Sequence, residues 1–348
     1  GRKRASRTLI PVANSEHHIV VCDHCDRELF FPAQECACSY SLHFMGFFQP
    51  YIVINGIGSF IDDFIMDINQ LLLGVLVSLC LAFAAYKFKA LNLSGLWAAA
   101  LLGSVILGLG GWPWAVLLMT FFVLSSLLSL LLAKKKRPLN ENFSKGSRRD
   151  AFQVFANGGW AGLLVIISFF WRQLAPNSPN LGIIWLAFAG SLAAANADTW
   201  GTELGVLSKS KPILINTGKR ADIGTSGAIS LVGTLSALAG SALIGLVAVL
   251  IEGHTSIGQL PFSAGLRFVL ITLAGLIGAV IDSLLGATVQ AIYFCPHCQK
   301  ETERYPLHTC GQETQFKRGF AWMNNDWVNA TCTLSGAIFP FLVALLLR

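Results

Sequence analysis

The sequence predicts an all-α, polytopic transmembrane helix bundle with a small cytoplasmic zinc-knuckle-like loop. Three observations carry that prediction. Of 348 residues, 54% are hydrophobic and only 13% are charged, where soluble domains carry roughly 25% charged residues. Runs of about 20 apolar residues recur, each long enough to cross a bilayer. Cations crowd every second connection between those runs, as the positive-inside rule requires of a multi-pass protein.

Residues 1–44 read as an N-terminal extension, either a native segment or one that is disordered or not native. The start, Gly1-Arg-Lys-Arg-Ala-Ser-Arg7, is basic, but no apolar run of a signal peptide follows it, and the first methionine is Met45. Cys22, His24, Cys25, Cys36 and Cys38 have spacings that could hold zinc. Residues 45–68 are apolar but broken by Pro50, Gly56 and Gly58, and read as a short segment or an extra span, with Asp62, Asp63 and Asp67 at its end.

The membrane domain is placed at 69–348. Its spans are expected at about 69–87, 91–110, 113–133, 152–171, 181–198, 228–251, 266–293 and 327–347. Lys87 and Lys89 separate the first two. Lys134, Lys135, Lys136, Arg137, Lys145, Arg148 and Arg149 follow the third. Lys209, Lys211, Lys219 and Arg220 follow the fifth, and Lys300, Arg304, Lys317 and Arg318 the seventh. The alternate turns, near 111, 172–180 and 252–265, are nearly free of cations. The basic loops are therefore expected to face the cytoplasm or an equivalent compartment. The net charge of +6 follows from this loop bias, and with no nucleic-acid motif present no nucleic-acid partner is expected.

Six constellations depart from a plain bundle. In Arg149-Asp150-Ala-Phe-Gln153-Val-Phe-Ala-Asn157, Asp150 and Gln153 have capping-box spacing. Arg149, Gln153 and Asn157 recur every fourth residue on one face. A cap with positive-inside arginines accounts for the start of this stripe. Its continuation into the membrane calls for protein, water or a phosphate-bearing ligand. Asn196-Ala-Asp198-Thr199-Trp-Gly201-Thr202-Glu203 closes the fifth span with two carboxylates, which suit Mg²⁺ or a structural pair with Lys219 or Arg220. Asn196 reads as a metal ligand or a cap. The stripe Gly190, Ala194, Ala197, Gly201, Gly205 lets neighbouring helices come close. Gly218-Lys219-Arg220-Ala-Asp222-Ile-Gly224-Thr225-Ser226-Gly227 offers cations, hydroxyls and glycines just before a helix. That suits phosphate, or an ordinary capped loop; no Walker A or kinase signature is present. Asp282 lies inside an apolar run on one face with Gly275, Gly278 and Gly286, and so points into the bundle. Such a buried carboxylate is by default functional, handling a metal or a proton. Asn325, Asp326 and Asn329 open the last span; capping explains the first two and leaves Asn329.

Nine cysteines are present. Cys80 and Cys332 sit in apolar runs and read as packing residues. Cys295-Pro-His-Cys298 with His308-Thr-Cys310 has the ligand set of a structural zinc knuckle, or of four independent side chains in a reducing compartment. Four protein ligands would leave zinc no open position, so the knuckle reads as structural.

At these residues the chain resembles a membrane family that contains the plant phytyl-phosphate kinases and the transmembrane-protein-nineteen-like proteins, long described as a domain of unknown function. The matching motifs are Arg149-Asp150-x-x-Gln153-Val-x-Ala-Asn157-Gly158, Ala195-Asn196-Ala-Asp198-Thr199-Trp-x-Thr202-Glu203, Gly224-Thr225-Ser226-Gly227-Ala-Ile-Ser230, Asp282-Ser283-x-x-Gly286-Ala and Asn325-Asp326-x-x-Asn329, in order over 69–348. The resemblance implies phosphorylation of an isoprenyl monophosphate such as phytyl phosphate to the diphosphate, in prenol salvage for tocopherol- and quinone-type lipids, with CTP, ATP or another nucleoside triphosphate as donor. It brings no catalytic assignment. From the residues themselves, Asp198, Glu203, Asp282 and Asp326 are expected at the catalytic centre, Asp198, Glu203 and Asp282 as Mg²⁺ ligands. Arg149, Gln153, Asn157, Lys219, Arg220, Thr225, Ser226, Asn325 and Asn329 are expected to contact substrate phosphates. Phosphoryl transfer needs mainly positioning and charge neutralisation, and an ionised phosphate nucleophile needs no strong base. The alternatives are a CDP-lipid-forming nucleotidyltransferase, and a lipid-phosphate transporter or flippase, which internal repeats would support and for which the sequence offers none. A scaffold docking through the zinc knuckle explains the clustered charges poorly.

Overall fold

The computed structural model describes residues 50–136, 148–175, 178–253 and 260–347, with the side chains of 50–67 and 134–136 left outside the description. The Cys22–Cys38 cluster, the aspartates 62, 63 and 67, and the cations between 134 and 145 fall outside the described positions or side chains. The described residues from Gly58 on form one compact unit.

Eight helices among the described residues are long and apolar enough to cross a membrane. They are α1 (Pro50–Lys87, its apolar span beginning at Ile68), α2 (Leu93–Val105, continued as π-helix by Ile106–Gly110), α3 (Trp112–Lys136), α4 (Ala151–Leu174), α5 (Asn180–Gly205), α6 (Leu231–Glu252), α7 (Ala264–Thr288) and α8 (Asn325–Leu346). Short strands lie in two connections. β1 (Ile213–Leu214) pairs with β2 (Ala228–Ile229) before α6. β3 (Ile292–Cys295), β4 (Lys300–Thr302) and β5 (Gln315–Arg318) form an antiparallel sheet of order β4-β3-β5 between α7 and α8.

The polar residues at the helix starts act locally. Asn92, Asp150, Ser230, Ser263 and Asn324 each accept a hydrogen bond from a backbone N–H two or three residues on, each worth about 1 kcal/mol. Asp150 Oδ1 takes the N–H of Gln153 at 2.9 Å, so the N-cap half of the predicted capping box forms, while Gln153 Oε1 is buried without a partner and does not return the bond.

Helix α5 is the hub, buried over nearly its whole length and packed by α3, α4, α6, α7 and α8. A helix apolar on every side belongs in the middle of a bundle. Its small residues make that position possible. Gly190 lies against the backbone of Gly336 in α8, Ala194 against Gly278 in α7, and Gly201 and Gly205 against Gly233 in α6. A side chain at either Gly190 or Gly336 would meet the other helix's carbonyl, so this approach requires glycine on both.

Two spans depart from expectation. The fifth runs on from residue 198 to Gly205, so Asp198, Thr202 and Glu203 are helical. The seventh stops at Thr288 instead of 293, because Ile292–Cys295 is a strand of the small sheet.

Candidate active site

A cavity of about 400 Å³ opens at one end of the bundle. Its lining comes from the end of α3, Arg149 in the α3–α4 connection, the start of α4, the last turns of α5, the 206–230 loop, the start of α6, the second half of α7, Gln290 and Glu303 beside the small sheet, and the start of α8. All these connections lie on the basic side of the predicted alternation. Asp198 sits seven residues before the end of α5, and Asp282 six before the end of α7. At 1.5 Å per residue the cavity therefore reaches about 10 Å below the helix ends.

Arg149 is held by its backbone. Its N–H donates to the Ala90 carbonyl and its carbonyl accepts from Asn92, both at 3.0 Å. Gly95 leaves space for that carbonyl, which a Cβ would strike. The guanidinium lies over Phe121 and Phe122 of α3, 5.4 and 5.8 Å from their ring centres, and lines the cavity. Burial lowers its pKa to about 10, partly countered by the Glu203 carboxylate, so it remains cationic at neutral pH. Gln153 and Asn157 continue the same face into the cavity. The Asn157 amide donates to the Gln153 carbonyl at 2.9 Å.

On α5, Asp198, Thr202 and Glu203 line the cavity. Glu203 Oε1 accepts from Ser129 of α3 at 2.7 Å. Asn196 is neither cap nor metal ligand: fully buried, it donates to Gly240 at 2.8 Å and accepts from Ser125 at 3.0 Å. It ties α3, α5 and α6 together. Asp282 lies within hydrogen-bonding reach of Asp198, and the charge of Glu303 acts on it. Its buried Oδ2 has no hydrogen-bond partner. Two carboxylates this close need a shared proton or a cation between them, so the pair fits a divalent ion with oxygen ligands.

The 218–230 loop is fastened to the end of α7. Gly227, at φ +79°, rests on Ala287, where a side chain would collide. Ser226 Oγ donates to Gln290 Oε1 at 2.6 Å, and Asn216 donates to the Ala287 carbonyl at 3.4 Å. Thr225 and Ser226 line the cavity.

Lys219 and Arg220 do not line it. The turn closed by Gly218 at φ +67°, with the Lys219 carbonyl bonded to Leu214 N–H at 2.8 Å, leaves both cations exposed. They do not pair with Asp198. Asp222, in the same loop, pairs instead with Lys211 at 3.0 Å on the surface. On α8, Asn325 and Asn329 line the cavity and Asp326 does not. Neighbouring residues point about 100° apart on a helix, so only the i, i+4 pair shares the inward face.

Two cavity residues escaped the sequence reading. Gln290, 2% exposed, donates to Glu303 Oε1 at 2.8 Å while accepting from Ser226. Both line the cavity. Neither belongs to a motif with recognisable spacing; the signal was Gln290's place just past an otherwise apolar span.

Beyond them, Cys295, Cys298, His308 and Cys310 gather, their ligand atoms within 4.8 Å of one another. Cys295 and Cys310 sulfurs lie 3.6 Å apart, and His308 Nδ1 is 3.2 Å from Cys310. Sulfurs bound at 2.3 Å to one tetrahedral ion would stand about 3.8 Å apart, so the cluster could hold a metal ion. Hydrogen bonding with Cys310, then desolvation, pushes the Cys298 thiol up to about 11.

A family model described as "Integral membrane protein DUF92" matches residues 76–337. Protein PGR of Arabidopsis thaliana is 36% identical over 234 residues, covering 65% of this chain and 81% of the relative. An uncharacterized membrane protein of Methanocaldococcus jannaschii is 29% identical over 283 residues, 81% of this chain and 97% of the relative. Protein VTE6, chloroplastic, of Arabidopsis thaliana is 26% identical over 275 residues, 79% and 70% respectively. No solved structure matches.

Proposed function

We propose that this chain, which belongs to the integral membrane protein family DUF92, is a membrane phosphotransferase that phosphorylates an isoprenyl monophosphate, such as phytyl phosphate, to the diphosphate. The donor is CTP, ATP or another nucleoside triphosphate. The similarity to Protein VTE6 and the kinase resemblance of the motifs support this reading, and with it a role in tocopherol-related prenol salvage. The single observation that carries it is one cavity holding a half-buried arginine, a close aspartate pair, a hydroxyl-bearing loop and an apolar flank.

Asp198 and Asp282 would hold Mg²⁺, which when bound neutralises phosphate charge. Arg149 binds phosphate, and its place over Phe121 and Phe122 fixes the guanidinium so that little side-chain freedom is lost on binding. The charge of Glu203, a residue held by Ser129, favours the cationic form of Arg149. Gln153, Asn157, Asn325 and Asn329 supply neutral donors on the facing helices. Thr225 and Ser226 bring the loop against the phosphates. Leu276, Ala279, Val280 and Ala237 give the cavity an apolar side within the spans, suited to an isoprenyl chain. The acceptor phosphate oxygen is ionised at neutral pH and attacks the γ-phosphorus; the bond to the β–γ bridging oxygen breaks, and the nucleoside diphosphate leaves. No side chain has to remove a proton. The cavity faces the cytoplasm or equivalent compartment, where nucleotides are found. A zinc ion at Cys295, Cys298, His308 and Cys310 is structural, since four protein ligands complete a tetrahedron.

The test is product mass. Purified protein in liposomes, given phytyl phosphate, Mg²⁺ and CTP or ATP, yields phytyl diphosphate. A CDP-lipid would mean a nucleotidyltransferase. Phytyl phosphate moved across the bilayer but unchanged would mean a flippase.

A further inference from the structure

One hairpin links the Cys/His cluster to the cavity. Strands β3 and β4 pair Tyr293 with Thr302 and Cys295 with Lys300. At the hairpin's turn sit Cys295 and Cys298, and the β4–β5 connection brings His308 and Cys310 up to them. At its open end sit Gln290 and Glu303, joined at 2.8 Å. From Gln290 a 2.6 Å hydrogen bond runs to Ser226 in the cavity loop. Side-chain contacts therefore run unbroken from the hairpin's open end to that loop.

Neither end is loosely built. Gln290 is 2% exposed, and its backbone N–H bonds to Leu285 at 3.0 Å. Its neighbours are clamped: Phe320 donates to Val289 at 2.9 Å and Ala291 to Met323 at 2.8 Å. Arg318 of β5 donates to the Gly286 carbonyl at 3.1 Å, at the end of α7. His308 is 4% exposed, with Nδ1 turned to Cys310 and a buried Nε2 that has no hydrogen-bond partner. The connection from Glu303 to Thr314 has no strand or helix of its own. Two of its residues are candidate ligands, so a bound ion would tie it to the hairpin turn.

We propose that Zn²⁺ held by Cys295, Cys298, His308 and Cys310 fixes the hairpin that delivers Glu303 to the cavity, and through Gln290 and Ser226 fixes the loop 222–230. Zinc occupancy thereby sets the shape of the cavity, and Glu303 is a positioning residue. The inference rests on the proposed function only in calling the cavity a substrate site.

Its test needs no turnover, so it stands apart from the phosphoryl-transfer reading. Zinc content and amide hydrogen exchange are measured on the purified full chain in nanodiscs. The samples are untreated protein, protein stripped with a zinc chelator and then reloaded with Zn²⁺, and the variants Cys310→Ser and Glu303→Ala. About one zinc per chain is expected. Stripping should speed exchange both in 292–318 and in 222–230, the latter about tenfold for the loss of one or two net hydrogen bonds. Reloading should restore both. Glu303→Ala should keep zinc and protection in 292–318 yet speed exchange in 222–230. The proposal is overturned by a chain that takes up no zinc, by stripping that loosens only 292–318, or by a Glu303→Ala loop that exchanges as in wild type. Should Cys310→Ser not fold, the strip-and-reload comparison on the native chain decides alone.

Discussion

Gly227→Ala isolates the fit of the cavity loop from its backbone strain. Gly227 and Gly218 both have positive φ, at +79° and +67°. Alanine at either pays about 1–2 kcal/mol for the left-handed conformation. They differ in surroundings. Nothing lies within 4 Å of a Cβ at position 218, whereas at 227 it would fall 2.5 Å from the Ala287 Cα and Cβ. Carbon atoms rest about 3.5–4.0 Å apart, so the loop must retreat by about 1 Å from the end of α7. That breaks the Ser226–Gln290 hydrogen bond and moves Thr225 and Ser226 away from the proposed phosphate site. A misplacement of about 1 Å costs on the order of 10²-fold in rate. Gly227→Ala should therefore lower kcat/KM for isoprenyl phosphate about 100-fold in liposomes, with Gly218→Ala within about threefold of wild type. Equal activities for the two variants would refute the role given to this loop.

Arg149→Ala should reduce turnover by at least about 100-fold, the scale of losing one preorganised charge-stabilising donor. Lys219→Ala and Arg220→Ala, exposed and off the cavity, should change it less than about threefold at physiological salt; steady-state kinetics on the three variants compares them directly. At the opposite end of the bundle, Arg267 pairs with Glu252 at 2.8 Å, with side chains 12% and 3% exposed. Arg267→Ala should destabilise by about 3–5 kcal/mol, read as a lower Tm, while turnover per folded molecule is unchanged. Zinc affinity should rise with pH. The metal-free Cys298 thiol, raised to about 11, is protonated at neutral pH and must release its proton to bind zinc. That thiol alone gives about tenfold tighter binding per pH unit below its pKa, measurable by chelator competition between pH 6.5 and 8; a flat profile would contradict it.

The spans were legible because a bilayer demands long apolar runs, and six of the eight begin and end within about three residues of expectation. The misses have local causes. Asp198 to Glu203 lower the hydropathy of α5's end, but the helix continues because Gly201 and Gly205 let it pack on Gly233. Ile292–Cys295 extends the apolar run of α7 without being membrane: its β-branched and aromatic residues serve a strand, and a short apolar run cannot separate the two. The converging residues Arg149, Asp198 and Asp282 were legible because charged and polar groups within a bilayer must face the bundle. Lys219 and Arg220 carried the right chemistry, but only the turn at Gly218 decides that they point outward. Gln290 and Glu303 were hidden for the opposite reason: their partners are 64 and 13 residues away, and no local pattern announces them.

The central claim is that Asp198 and Asp282 serve a metal-dependent phosphoryl transfer in this cavity. The most direct measurement is transfer of label from γ-labelled CTP or ATP to phytyl phosphate, by wild type, Asp198→Asn and Asp282→Asn, across a Mg²⁺ titration. The account predicts labelled phytyl diphosphate from wild type only when Mg²⁺ is present. It predicts at least about a 100-fold loss in both variants, with folding confirmed by an unchanged elution profile. Wild-type transfer that survives both substitutions, or folded wild type that labels no isoprenyl phosphate with any donor, would contradict it.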